Sequence, residues 1–224
     1  CKESPGGLRD LQIILWVAKA AGLGNNWDAL ARKGLATPLE ARSLKRNEAT
    51  LSLIRARLHL VAKRREDRLV FDMQTQVADT LGLGQQENGN RHARVASEAL
   101  MKRYYWAAKA VTQLNQILLL NIEEWLTQGD RSHDPQPINE RFADKVLDKA
   151  GMIDVRSDDL YFHQPHAILE TFLLYQTTVG IKGLSARTLR ALYNARGVMD
   201  SRFRADPLNR ASFLKILQEP EGIT

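Results

Sequence analysis

The sequence predicts a mainly α protein: an antiparallel helical bundle around one long central helix, with one short β-hairpin as its candidate for sheet. Three observations predict it. The longest periodic segment of the chain runs through Leu100, Tyr104, Ala107, Val111, Leu114, Leu118, Ile122 and Trp125 in steps of 4, 3, 4, 3, 4, 4 and 3 residues, the spacing of one face of an α-helix. A strong helix start stands earlier, where Thr37 precedes Pro38 and Glu40 follows three positions after the threonine, the pattern of a capping box with proline at the first helical position. Glycine and proline clusters separate the periodic segments at helix-length intervals.

In order, a Pro5-Gly6-Gly7 turn opens into a helix over 8–21, with Leu8, Leu11, Leu15 and Ala18 on one face. Gly22, Gly24 and the asparagines that follow stop it. Trp27 begins a short helix closed by Gly34, and the helix from Pro38 runs to about position 63 along Leu44, Leu51, Ile54, Leu58 and Val61. Asp72 reads as the cap of a helix through Met73, Val77 and Leu81, ended by Gly82, and Asn88-Gly89-Asn90 reads as a turn. The central helix is expected over 91–127. At the α-helical rise it spans about 55 Å, and so narrow a stripe needs partners along its length. The helix from Pro38 is the natural antiparallel partner.

The polar segment 129–137 divides the chain into a bundle over 8–129 and a mainly helical subdomain over 130–224. Within the second part, Ala150-Gly151 is either a hairpin turn between strands 142–146 and 152–155 or the end of a short helix; the hairpin, lying within 142–155, is preferred. Pro165 opens an apolar helix through Ile168, Leu169, Phe172 and Leu173. Ser185 caps the next, over 186–196, and Asp206-Pro207 opens the last, over 207–218.

The 224 residues suffice for one sizeable domain or two small ones. No apolar run is long enough to cross a membrane and no secretory signal opens the chain, so no membrane partner is expected. A single cysteine excludes an internal disulfide and fits a reducing, cytoplasmic setting. The net charge of +6 could attract a polyanion. The signs are interspersed, however, as in Arg64, Arg65, Glu66, Asp67 and Arg68, whereas nucleic-acid binders gather basic residues on one face.

The opening block, Lys2-Glu3-Ser4-Pro5-Gly6-Gly7-Leu8-Arg9-Asp10-Leu11, carries the strongest chemical suggestion. Glycines beside the free N–H groups of a helix start, with Lys2 and Arg9 near, can receive an anion. On spacing alone a tight turn before a surface helix is the simpler reading. A second block, Arg64-Arg65-Glu66-Asp67-Arg68-Leu69-Val70-Phe71-Asp72-Met73-Gln74, packs three arginines and two carboxylates into five positions. Exposed, such pairs add about 0–1 kcal/mol each; partly buried, arginine forks fix the orientation of one element on another.

Both blocks, in this order, resemble bacterial PII uridylyltransferase/uridylyl-removing enzymes; the likeness covers nearly the whole chain, more weakly after Gly129. A related Gly-Gly block occurs in glutamine synthetase adenylyltransferases, but Pro5 before the glycines and the Arg-Arg-Glu-Asp-Arg-Leu run favour the former. The resemblance implies a larger enzyme that transfers UMP from UTP to the PII signalling protein, removes it by hydrolysis, responds to glutamine and uses magnesium. In such an enzyme residues 1–7 are the tail of the nucleotidyltransferase domain and the rest is the helical domain after it. Since the chain begins at Cys1 inside a family motif, it is expected to be an excised piece. Lys2, Gly6, Gly7 and Arg9 are then candidates for contact with the nucleotide. Asp10, Arg64, Arg65, Glu66, Asp67 and Arg68 are candidates for docking between domains. A non-enzymatic helical binding module is the other class left open.

The family's own chemistry is otherwise missing from these residues. No Gly-Ser followed by spaced aspartates is present, and Asp158-Asp159 lacks the intervening residue. His133-Asp134 matches the phosphohydrolase pair by letter, but Pro135 disfavours the helical geometry of its ligands. His163 and His166 have the spacing of a metal pair, with Glu170 one turn on; a helix start with solvated histidines accounts for them better. No metal, catalytic residue or cofactor is therefore expected within this chain.

Overall fold

The computed structural model describes residues 1–83, 89–127 and 135–219, with Gly89, Asn90 and His92 described by their backbone alone. The chain divides into two compact units, Cys1–Ile122 and Glu123–Thr224. The described residues are mainly helical, with one small sheet.

The first unit contains α1 (Leu8–Ala20), α2 (Trp27–Arg32), α3 (Pro38–Ala62), α4 (Phe71–Thr80) and most of α5 (Gly89–Thr127). Local chemistry accounts for the boundaries. Asn26 caps α2 by accepting from the Ala29 N–H. The capping box of α3 is complete: Glu40 N–H donates to Thr37 Oγ1 at 3.1 Å, and Thr37 N–H to Glu40 Oε2 at 2.7 Å. Lys63 ends α3 in the left-handed region, at φ 53°. Asp72 does not cap α4. Its helix starts one residue earlier, from an extended Val70 with no side-chain cap, which puts Asp72 in the first turn, where a negative charge suits the helix dipole.

The central helix is 39 residues long, about 58 Å at the α-helical rise. It begins two residues before the expected start, so Gly89 and Asn90 belong to it and not to a turn. Leu100, Tyr104, Ala107, Val111, Leu114, Leu118 and Ile122 are all buried, but Trp125 is 42% exposed. The stripe therefore leaves the core one turn before its apolar letters end. Contacts at both ends run antiparallel to α3: Ser97 Oγ donates to Gln74 Oε1 of α4, which follows α3, and Asn121 Nδ2 donates to the Leu35 carbonyl, just before α3 starts. In α1 the buried side chains are Leu8, Leu11, Ile14 and Ala18; Ile14 takes the central place that spacing assigns to Leu15.

The second unit holds a four-stranded sheet in the order β1 (Gln136–Pro137), β2 (Val146–Lys149), β3 (Met152–Val155), β4 (Gly183–Leu184). The hairpin exists, but its first strand is Val146–Lys149 and not 142–146, because residues 140–142 form a 3-10 turn capped by Asn139. Pairing Lys149 with Met152 leaves a two-residue turn, with Ala150 at φ 57° and Gly151 at φ 83°, the primed turn that matches strand twist. Asp148 secures it by accepting from Gly151 N–H at 2.6 Å. Pro137 sits on the edge strand, where a missing N–H is tolerated. The core comprises Ile153 and Val155 from β3, Leu160 and Tyr161 of α6 (Leu160–His163), Ile168 and Leu174 of α7 (Ala167–Thr177), and Ala191 of α8 (Ala186–Asn194). Phe172, expected on the core line of α7, is 39% exposed. Asp200 caps α9 (Ser201–Ala205) and Asp206 caps α10 (Pro207–Gln218).

Candidate functional site

The opening block is a closed turn. Its N–H groups are consumed locally: Gly7 donates to the Ser4 carbonyl at 2.8 Å, Leu8 to Cys1 at 3.2 Å, Arg9 to Lys2 at 3.0 Å and Asp10 to Gly7 at 3.2 Å. Gly6 N–H donates to Asp10 Oδ2 at 2.6 Å, so the carboxylate of the first helical turn reaches back over the glycines. Gly6 has φ +73°, and a Cβ there would lie 2.1 Å from the Ala108 carbonyl oxygen of α5. That position requires glycine twice, for its backbone angle and for its approach to the central helix. A Cβ on Gly7 would meet the carbonyl oxygens of Lys2, Cys1 and Ser4 at 2.6–2.7 Å. Outside the turn, Arg9 Nη2 lies 2.6 Å from Glu3 Oε1 and Lys2 Nζ 3.9 Å from the same atom. Both expected anion-binding cations thus face a carboxylate of their own block.

The second block is the extended segment between α3 and α4. Asp67 is gripped from within α3: Arg55 Nε is 2.5 Å from Oδ1 and Nη2 3.3 Å from Oδ2, with His59 Nε2 at 3.9 Å. The guanidinium hydrogen bond holds the Asp67 carboxyl below its ordinary range despite partial burial. Glu66 accepts from Arg68 N–H at 2.9 Å and Arg64 Nη2 at 3.0 Å; the Arg68 N–H first, and the Arg64 charge after it, lower its pKa. Arg65 and Arg68 are exposed.

The two blocks meet. The nitrogen of Cys1, an ammonium in this 224-residue chain, donates to the Asp67 carbonyl, across 66 residues of sequence. Together with α5 they line a cleft of about 260 Å³, bounded by Cys1 and Ser4, by residues 67–70, and by Met101, Tyr104 and Tyr105. Among the described residues no nucleophile there is hydrogen-bonded to a base, and no three His, Cys, Asp or Glu side chains gather to hold a metal. The arrangement is a joint: a closed turn and an ion-paired strap seated on one long helix.

The model of the GlnD PII-uridylyltransferase matches residues 1–119, which include both blocks and most of the helix that seats them. The chain belongs to this PII-uridylyltransferase family. The model of the uridylyltransferase GlnD third domain matches residues 147–224. Among curated proteins, the bifunctional uridylyltransferase/uridylyl-removing enzyme of Cupriavidus pinatubonensis is 62% identical over 224 residues, that of Cupriavidus metallidurans 59% over 224, and that of Burkholderia orbicola 55% over 223. Each match covers 100% of this chain and 25% of the relative, so the chain spans about a quarter of the length of the curated relatives it matches. No solved structure matches it significantly.

Elsewhere in this member of the PII-uridylyltransferase family, the other candidate ligands are occupied locally. Asp158 pairs with Arg187 at 2.6 Å. Asp159 accepts from Ser157 Oγ and lies 3.0 Å from His163 Nε2, contacts that keep its carboxyl below the ordinary range. Glu170, one turn beyond His166, pairs with Lys145 at 2.8 Å, and both His163 and His166 are exposed. His133-Asp134 lies outside the described residues. Arg55 escaped the sequence reading because it is one of many charges on α3. The signal that could have found it is its spacing of four from His59, which aims both side chains at the segment after the helix.

Proposed function

We propose that this chain is the central helical region of a bifunctional uridylyltransferase/uridylyl-removing enzyme, which transfers UMP from UTP to the PII protein and hydrolyses it off again. In this reading residues 1–7 are the tail of the nucleotidyltransferase domain, 8–129 the bundle and 130–224 a mainly helical subdomain. Magnesium belongs to the carboxylates of the nucleotidyltransferase domain, the whole enzyme responds to glutamine, and the setting is cytoplasmic. The observation that carries the reading is the joint itself: two blocks that resemble those of the family both border one cleft against α5, and Gly6 of the first approaches the Ala108 carbonyl of that helix.

The geometry supports docking over direct nucleotide contact for this joint. The N–H groups of residues 6–10 already have partners, and Asp10, Glu66 and Asp67 are engaged within the joint. Lys2, Gly6, Gly7 and Arg9 as nucleotide contacts form the second reading. It is favoured by the 46% exposure of the Arg9 side chain, and it requires Glu3 to release the guanidinium. The chain by itself is expected to be inactive. Incubation of the 224-residue protein with UTP, magnesium and PII leaves PII unmodified, as read by mass spectrometry; stoichiometric labelling by a clean preparation would overturn the assignment.

A further inference from the structure

The second unit contains a larger cleft, of about 560 Å³, between α7, α9 with the segment before it, and α10. Its walls are of two kinds. Leu169, Met199, Phe203 and Phe213 supply an apolar surface with two aromatic rings. Arg196, Arg204 and Arg210 line the same space, and among the described residues no carboxylate does.

Each guanidinium is anchored by one bond to a backbone carbonyl: Arg196 Nη1 to Tyr193 at 2.6 Å, Arg204 Nη1 to Met199 at 3.0 Å, and Arg210 Nε to Arg204 at 3.0 Å. Arg196 also lies over the Tyr193 ring, 4.2 Å from its centre. A guanidinium has five donors, so these anchors fix position and leave most of the N–H groups unused. The nearby acids are spent as caps: Asp200 accepts from Phe203 N–H at 2.9 Å, and Asp206 from Leu208 and Asn209 N–H at 2.8 and 3.3 Å. Both carboxylates keep their charge, and that of Asp200 acts with Arg202 and Arg204, but among the described residues none of the three arginines that line the cleft is ion-paired with a carboxylate. Asn209 adds a further unmet need. It lines the cleft and is 6% exposed; its Nδ2 donates to the Phe203 carbonyl at 3.0 Å, while its Oδ1 has no partner among the described residues.

We propose that this cleft binds a small amphipathic anion, an apolar ring or chain that ends in a phosphate or carboxylate. The volume is that of a small-molecule site. The apolar body is buried against Phe203 and Phe213, and the anionic end takes charge-assisted hydrogen bonds from Arg204 and Arg210, which are stronger than neutral ones and geometrically selective. A donor on the ligand would satisfy Asn209 Oδ1. The site is separate from the joint between the two blocks and is not required for it.

The test uses the 224-residue protein and a fluorescent probe of matching chemistry, anilinonaphthalene sulfonate. Saturable one-to-one binding is expected, about tenfold weaker in Arg204→Gln and in Arg210→Gln, where each factor of ten reads one lost charge contact. Both arginines are exposed, so melting temperatures should match the wild type. Phenylnaphthylamine, the same ring system without the sulfonate, should bind at least about tenfold more weakly. Competition distinguishes the natural sources: displacement by AMP points to a phosphorylated ring, and displacement by octanoate to a carboxylate chain. Probe binding unchanged by both substitutions, binding indifferent to loss of the sulfonate, or displacement by neither competitor would overturn the proposal.

Discussion

Arg9 carries a charge that two roles compete for. Its guanidinium meets Glu3 at 2.6 Å, and the two side chains are 46% and 56% exposed. A pair so exposed adds about 0–1 kcal/mol. In the full-length enzyme Arg9→Ala should therefore leave the melting temperature nearly unchanged and alter UMP transfer by less than about fivefold. Loss of a charge-assisted contact made in the transition state would instead cost about 30- to 1,000-fold in kcat/KM, and steady-state kinetics of transfer and removal on one preparation tells the two apart. Tyr161 tests the second unit at the same scale. It is fully buried, and Thr171 Oγ1, which donates to the Ala167 carbonyl, accepts from its hydroxyl at 2.9 Å. Burial pushes the phenol pKa up to about 12. The unfolded chain ionises near pH 10, so it loses the proton first. Stability from this group is present below about pH 10 and is lost as pH rises toward about 12. Tyr161→Phe should cost about 1 kcal/mol at neutral pH, and denaturation midpoints should show that this deficit narrows above about pH 10.

The elements differ in how legible they were. Thr37, Pro38 and Glu40 state a helix start in local chemistry, and the capping box is there. The central helix was legible because seven spaced apolar positions agree with one another. Trp125 misled because large aromatic residues also occur at exposed sites, and periodicity alone does not show where a core ends. β1 and β4 are two residues each, too short to express a period of two, and β4 pairs in parallel with β3 across 31 residues between Ile153 and Leu184. The hairpin turn was legible from Ala150-Gly151, but its first strand was not, because Asn139 captures residues 140–142 as a 3-10 turn and delays pairing to Val146. The opening glycines were visible as a turn, yet what closes around them is distant: Ala108 is 102 positions from Gly6. Leu114, at 0% exposure, is the element-scale test. Leu114→Ala should destabilise the first unit by about 2–5 kcal/mol, and Trp125→Ala, a substitution in the second unit, should cost about 1 kcal/mol or less. Chemical denaturation giving equal losses would mean the stripe does not leave the core where the structure says.

At the scale of the whole molecule, the chain spans about a quarter of the length of the relatives it matches. It offers no metal cluster among the described residues; it offers a long helix and, in its first unit, a strap held by Arg55–Asp67 and a turn whose glycine touches α5. If that joint sets the orientation of neighbouring catalytic domains, damage to it must reach both activities. Gly6→Ala is the sharpest probe, because it strains a left-handed backbone and drives a methyl group toward the Ala108 carbonyl. The expected destabilisation is about 2–4 kcal/mol. The deciding measurement is UMP transfer, UMP removal and melting temperature on one preparation of full-length Gly6→Ala enzyme. The docking account predicts a lower melting temperature with both activities reduced together; loss of transfer alone, with removal and melting unchanged, would contradict it and return the turn to the nucleotide.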